Sequence, residues 1–269
     1  MDDNCFGIAK AAAYSALLSF FPVLTSAATI LVQTRAEYVS GLIASFLFEV
    51  VPPGTEELVR YQFMVRGSRP LLLLIAAVML SVWAASGVVS SLMQGFQAAY
   101  RIEQRRSIPH NLGVAVALVL LSVVPLGAAC GLILFGGWVD QTVVGWLIGT
   151  PLLEPVASGW NLLYRLARYA VAFGAVVAVT SMLYYFGPYR QQRWSGVWRG
   201  AVLATVLWLL ATSAFGWYVR NIANYNVLYG SIGASIALLV WMYLMAVIAL
   251  LGCEFNAQAE RVTESPAAQ

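Results

Sequence analysis

Glu254, Asn256 and Gln258 close the last long apolar run of the chain and form its densest set of groups able to bind or gate a solute. On a helix Glu254 and Gln258, four residues apart, share a face. A carboxylate at a membrane edge is costly to leave bare, so cations are expected beside it. Arg101, Arg105, Arg106 and Arg199 are the candidate ion-pair partners, with Arg190 and Arg193 in the same set of loops. A second polar cluster, Tyr225, Asn226, Tyr229 and Ser231, opens the same run. Asn226 or Ser231 can cap a helix there and Tyr229 can anchor among headgroups, and the group is a candidate substrate gate.

Catalytic chemistry has little to stand on. The single histidine, His110, has no second His or Cys at metal-ligand spacing. No glycine-rich phosphate loop, nucleophile elbow or HExxH motif occurs, and the acids are scattered at the ends of apolar runs. Cys5, Cys130 and Cys253 are odd in number and widely spaced, which argues against a disulfide framework or a metal cluster. The expectation is therefore no catalytic residue, no metal, no cofactor and a protein that is not an enzyme.

Apolar elements must position these groups. Of 269 residues 61% are hydrophobic and 10% charged, whereas charge falls on about a quarter of the residues of a soluble domain. A bilayer core about 30 Å thick needs about 20 apolar residues in helical conformation. Six uncharged runs meet that length, with spans expected at about 11–33, 71–97, 112–137, 168–187, 200–219 and 230–253, in a single domain followed by a short polar tail over 261–269. The runs are continuous rather than alternating in segments of about ten residues, which excludes a transmembrane β-barrel. The sequence therefore predicts an all-α polytopic bundle. The run after Lys10 is long for a signal peptide and reads as a retained first helix.

The arginines lie almost entirely between the runs, as loop and interface anchors, and form no basic face for nucleic acid. The loops at 101–106 and 190–199 are the most basic, so by the positive-inside rule they and both termini are cytoplasmic. Pro22 and Pro125 are expected to kink the first and third spans, with neighbouring helices or the hydroxyls of Ser19 and Thr25 able to satisfy the carbonyl freed by Pro22. Val39, Leu42, Ile43, Phe46, Leu47 and Val50 recur at helical spacing and predict an amphipathic interfacial helix between spans one and two. Gly87, Ser91, Gly95 and Ala99, and Gly127 with Gly131, make small-residue stripes that signal helix packing. The connection from Asp140 to Arg168, with Trp146, Trp160 and Tyr164, reads as a re-entrant or interface-seated segment.

Four segments bring a known family into view: Tyr14-Ser15-Ala16-Leu17-Leu18-Ser19-Phe20-Phe21-Pro22; the stretch from Trp83 to Arg106; Gly200-Ala201 with Trp208 ahead of Phe215-Gly216-Trp217-Tyr218-Val219; and Asn224-Tyr225-Asn226 through Tyr229-Gly230-Ser231 and Trp241-Met242-Tyr243 to Gly252-Cys253-Glu254-Phe255-Asn256-Ala257. In these the chain resembles the YihY/BrkB family of membrane proteins. The resemblance implies six transmembrane helices in the bacterial inner membrane and, for virulence-associated members, a link to serum resistance. It implies no settled biochemical activity, since the early family name ribonuclease BN is regarded as mistaken. The chain departs from the family pattern at Gln94-Gly95-Phe96, where a Leu-Asn pair is expected, at Cys253 in place of alanine, and in its short arm before Lys10.

The functional expectation is a transporter or exporter of an unidentified small or lipidic solute. The alternative is a non-catalytic scaffold that binds partner membrane proteins. The expected partners are the lipid bilayer and an unknown solute, with a homo-oligomer or another membrane protein compatible with the small-residue stripes. Nucleic acid is not expected.

Overall fold

The computed structural model describes residues 5–33, 71–102, 107–147, 154–190, 192–221 and 232–264. The described chain forms six helices: α1 Cys5–Gln33, α2 Leu71–Ala99, α3 Ile108–Leu147, α4 Glu154–Phe186, α5 Trp194–Asn221 and α6 Ile232–Glu264. Each contains a segment long and apolar enough to cross a membrane, so the fold is an all-α bundle with six candidate spans. The amphipathic segment at 39–50 lies outside the described residues, as do Arg105, Arg106, Tyr225, Asn226, Tyr229 and Ser231.

The connection expected as a re-entrant or interface-seated segment is largely helical in its described residues. α3 runs on to Leu147 and α4 already begins at Glu154, so helix occupies most of the stretch from Asp140 to Arg168. A helix satisfies its own backbone hydrogen bonds and does not stop where apolar composition thins out. For the same reason α6 continues past its apolar run to Glu264 and carries Glu254 through Arg261 on regular turns.

Consecutive helices pack together from α1 to α6, α6 returns to α1, and α2 also packs on α6 and touches α4. The first turns of α1, the last turns of α2, α4 and α6, and the first turns of α5 meet in one buried cluster that includes Ala9, Ala99, Tyr184, Val197 and Cys253. The described chain therefore starts and finishes at the same end of the bundle.

Local signals set the helix ends here. The Ser107 carbonyl accepts the first bond of α3 from the Asn111 N–H at 2.9 Å, as an N-cap does. α2 closes in a Schellman arrangement, with Ile102 N–H donating to Gln97 and Arg101 N–H to Ala98. Arg101 takes the left-handed conformation there, at φ 53°. Glycine is the usual residue at that position, so sequence offers no cue for the motif. α4 stops at Phe186 ahead of Gly187-Pro188, a pair that cannot continue a helix.

Backbones approach most closely where α5 crosses α6. A Cβ on Gly252 would lie 2.5 Å from the Tyr184 hydroxyl, 2.7 Å from the Gly200 carbonyl and 2.8 Å from Ala204 Cβ. A Cβ on Gly200 would in turn run into the Gly252 carbonyl and the Asn256 amide. The α2 stripe packs as its spacing suggests, Gly87 against Ser15 of α1 and Gly95 against Ile8 of α1 and Leu250 of α6. The α3 stripe does not: Gly127 and Gly131 face open space.

The outer surface is apolar. Met79 and Trp83 on α2, Leu121 and Val124 on α3, and Leu210 and Trp217 on α5 all project outward. Exposed apolar surface on this scale fits lipid rather than water. Gly252→Ala should lower stability by about 3 kcal/mol, because its methyl meets backbone on one side and Tyr184 on the other. Gly113→Ala, with nothing within 4 Å, should leave the thermal midpoint in detergent unchanged or slightly raised. Equal midpoints for the two variants would refute the tight crossing.

Candidate functional site

Asn256 is buried at the α5–α6 crossing, and both ends of its amide bond to α5 there. Its Oδ1 accepts from the Gly200 N–H at 2.7 Å and its Nδ2 donates to the Val197 carbonyl at 2.8 Å. The side chain thus reads one donor and one acceptor on the first turns of α5, and only glycine at 200 lets it come so close. From α4, Tyr184 donates its hydroxyl to the Ala249 carbonyl at 2.6 Å and meets the Phe96 ring edge to face at 5.2 Å. Arg261 donates to the Ala99 carbonyl at 2.6 Å, which satisfies one of the free carbonyls at the C-terminus of α2.

Glu254 and Gln258 share a face as their spacing requires, and Gln258 Nε2 donates to Glu254 Oε1 at 3.1 Å. Both lie toward the surface of α6, apart from the buried Asn256. The one ion pair among the described residues joins Arg190 and Glu260 at 2.7 Å. It is a different pair from those the arginine spacing suggested, because Glu260 lies on the turn of α6 that faces the loop after α4. Arg190 also stacks over the Tyr100 ring, 5.4 Å from its centroid. Burial, with Cys253 and Glu260 adding to it, raises the Tyr100 phenol above its ordinary value and keeps it protonated. Arg199 is exposed on the first turns of α5, and Arg101 is exposed in the cap of α2.

At the end of the bundle where the described chain starts and finishes lies a pocket of about 250 Å³, lined by Tyr100, Gln192, Arg193, Ser195, Arg199 and Glu260 among others. A second, larger cavity of about 570 Å³ lies further along the helices. Ala16 and Val23 of α1, Ala85 and Leu92 of α2, and Val123 and Leu126 of α3 contribute to it. Val179 and Leu183 of α4 and Trp241, Met242, Met245 and Ala246 of α6 complete the walls. α1 packs on α6, α3 packs on α4, and α2 packs on both α1 and α3. Contact between α1 and α3 is at most slight among the described residues. The cavity is therefore a groove floored by α2 with α1 and α6 on one side and α3 and α4 on the other.

The few polar side chains in the groove are already committed. Ser19 donates to the Ala16 carbonyl at 2.8 Å, Ser122 to the Leu118 carbonyl at 2.7 Å, and Trp241 Nε1 to Thr212 Oγ1 at 3.3 Å. Pro22 and Pro125 sit inside α1 and α3 beside this groove. Of the two expected ways to satisfy the Leu18 carbonyl freed by Pro22, a neighbouring helix or the hydroxyls of Ser19 and Thr25, the hydroxyls donate elsewhere. Their hydroxyl protons go to Ala16 and Phe21, the carbonyls three and four residues back that each rotamer reaches within its own helix.

Sequence reasoning missed Tyr184, the Arg190–Glu260 pair and the groove itself. For Tyr184 a signal existed, since a tyrosine deep in an apolar run needs a partner for its hydroxyl. The groove residues carry no signal, being ordinary apolar side chains whose convergence from five helices is a tertiary fact. Removing the Asn256 amide should leave the Gly200 N–H and the Val197 carbonyl unpaired. Asn256→Ala is therefore expected to cost about 2 kcal/mol, read as a lower thermal midpoint in detergent. A midpoint within error of the parent would show that the amide contributes nothing there.

Comparison with known proteins places this geometry. The chain is 28% identical over 257 residues to the ribonuclease-like protein YfkH of Bacillus subtilis, covering 94% of this chain and 90% of that protein. It is 26% identical over 246 residues to a UPF0761 membrane protein of Tolumonas auensis, covering 91% of this chain and 77% of that one. A UPF0761 membrane protein of Alkalilimnicola ehrlichii is 27% identical over 257 residues, of which the match spans 55% of its length. No solved structure matches the chain. The family model described as Virulence factor BrkB matches residues 1–269, and with six helices able to span a membrane the chain belongs to that family of integral membrane proteins.

Proposed function

We propose that the protein takes a lipidic solute into the groove between α1 and α3 and moves or exports it, without catalysing a reaction and without a metal or cofactor. The observation that carries this reading is the character of the groove. Its volume of about 570 Å³ falls in the range of small-molecule sites, and its serine hydroxyls and indole N–H are all bonded within the protein. A hydrophilic solute would meet no free donor there, while an acyl or isoprenoid chain would lose nothing on entering.

Membrane orientation follows from charge. The end of the bundle where the described chain starts and finishes carries Lys10, Arg101, Arg190, Arg193, Arg199 and Arg261. By the positive-inside rule that end is cytoplasmic, with both termini inside, and the family resemblance supports the bacterial inner membrane as the location.

A second reading, a scaffold for a partner membrane protein or a second copy, draws on the α3 stripe. Gly127 and Gly131 face open space, and small residues let a foreign helix approach closely. Crosslinking in native membranes separates the two, since a stoichiometric partner on α3 would favour the scaffold.

Reconstituted protein should move a fluorescently tailed phospholipid between the leaflets of liposomes. Ala85→Trp, which fills the floor of the groove, should slow that movement about tenfold or more, a loss of about 1.4 kcal/mol per factor of ten. Val124→Trp on the lipid face should not. Movement equal in Ala85→Trp and parent liposomes, or no faster than in protein-free liposomes, would exclude the groove as the path.

A further inference from the structure

The pocket at the end where the described chain starts and finishes has a charge balance that neither packing nor the groove explains. Three charged side chains line it, Arg193, Arg199 and Glu260. Glu260 is paired with Arg190, which is not part of the lining, at 2.7 Å. Arg193 and Arg199 form no ion pair among the described residues. Among the described residues the lining therefore holds two arginines without an ion-pair partner, beside one acid already paired from outside.

The remaining polar residues suit the same kind of ligand. Ser195 and Gln192 can donate hydrogen bonds, although the Gln192 amide already donates to the Tyr184 carbonyl at 3.2 Å. Tyr100 carries a protonated phenol, held neutral by burial. Asn256, which forms part of the wall, is fixed by its two bonds to α5 and shapes the pocket without being free to bind. Paired arginines recognise tetrahedral oxyanions well, because each planar guanidinium can offer two parallel N–H donors.

We infer that this pocket binds a phosphate group, either that of a lipid headgroup or free phosphate. As a headgroup site it rests on the lipidic reading of the groove and narrows the solute to an anionic amphiphile. Along α6 the buried cluster separates the groove from the pocket. Trp241 to Ala246 line the groove, Leu250 and Cys253 lie in the buried cluster, and Asn256 to Glu260 line the pocket.

The test compares two lipids that differ only in phosphate. Binding of phosphatidic acid and of diacylglycerol with the same acyl chains is measured on the full chain in maltoside micelles. Phosphatidic acid should bind about tenfold or more tightly than diacylglycerol, and Arg193→Gln combined with Arg199→Gln should erase that preference. Both side chains are exposed, so the double variant should keep the parent's thermal midpoint. Arg193→Lys with Arg199→Lys keeps the charge and should retain part of the preference. Displacement by millimolar inorganic phosphate identifies a site for free phosphate, whereas phosphatidic acid binding that inorganic phosphate leaves unchanged identifies a headgroup site. Equal binding of the two lipids, or an undiminished preference in the glutamine variant, overturns the inference. Failure here leaves the groove standing if Ala85→Trp still blocks movement of the tailed lipid, and failure of the groove leaves the pocket standing if the phosphate preference persists.

Discussion

The approach of Gly200 to Gly252 is the contact on which the end of the bundle where the described chain starts and finishes depends. Lipid tails are as apolar as leucine, so helices in a membrane gain little from hiding hydrophobic surface against one another. Close packing and hydrogen bonds to exposed backbone must supply the association. With no side chain at either position, α5 and α6 come near enough for Asn256 to bridge the Gly200 N–H and the Val197 carbonyl. Tyr184 then reaches the Ala249 carbonyl across the same gap and ties in α4. Ala9 and Ala12 of α1 and Ala99 of α2 join the cluster with small side chains.

The groove is the counterpart of that locked end. Further along α6, Trp241, Met242 and Met245 take the place of glycine and alanine, and the space between α1 and α3 is not filled from within the described chain. The two halves of the molecule thus differ in kind. One is a set of backbones held by short bonds, and the other is a gap between apolar faces that suits a flexible hydrocarbon.

Much of the fold was legible in the residues. Six uncharged runs of spanning length fix six helices, because a backbone in hydrocarbon must satisfy its own hydrogen bonds. The α2 stripe of Gly87 and Gly95 correctly announced a packed face, whereas the identical spacing of Gly127 and Gly131 on α3 did not. Spacing shows that a helix can be approached and is silent on whether a neighbour does so. The site was only partly legible. Asn256 stood out as a polar residue in an apolar setting, yet its partners Val197 and Gly200 lie far away in sequence and are backbone groups, which no side-chain pattern reveals.

The sequence by itself determined the solvent, the number of crossings and the concentration of arginine at one set of loops, since these follow from composition and local period. Tertiary structure decided which acid pairs with which arginine, because helix rotation brought Glu260 to Arg190 and left Glu254 beside Gln258. It also decided that the chain encloses an apolar groove and a cationic pocket on either side of one buried cluster. A cavity is the volume left over when helices meet, so it is a property of their angles and separations and of no residue taken alone.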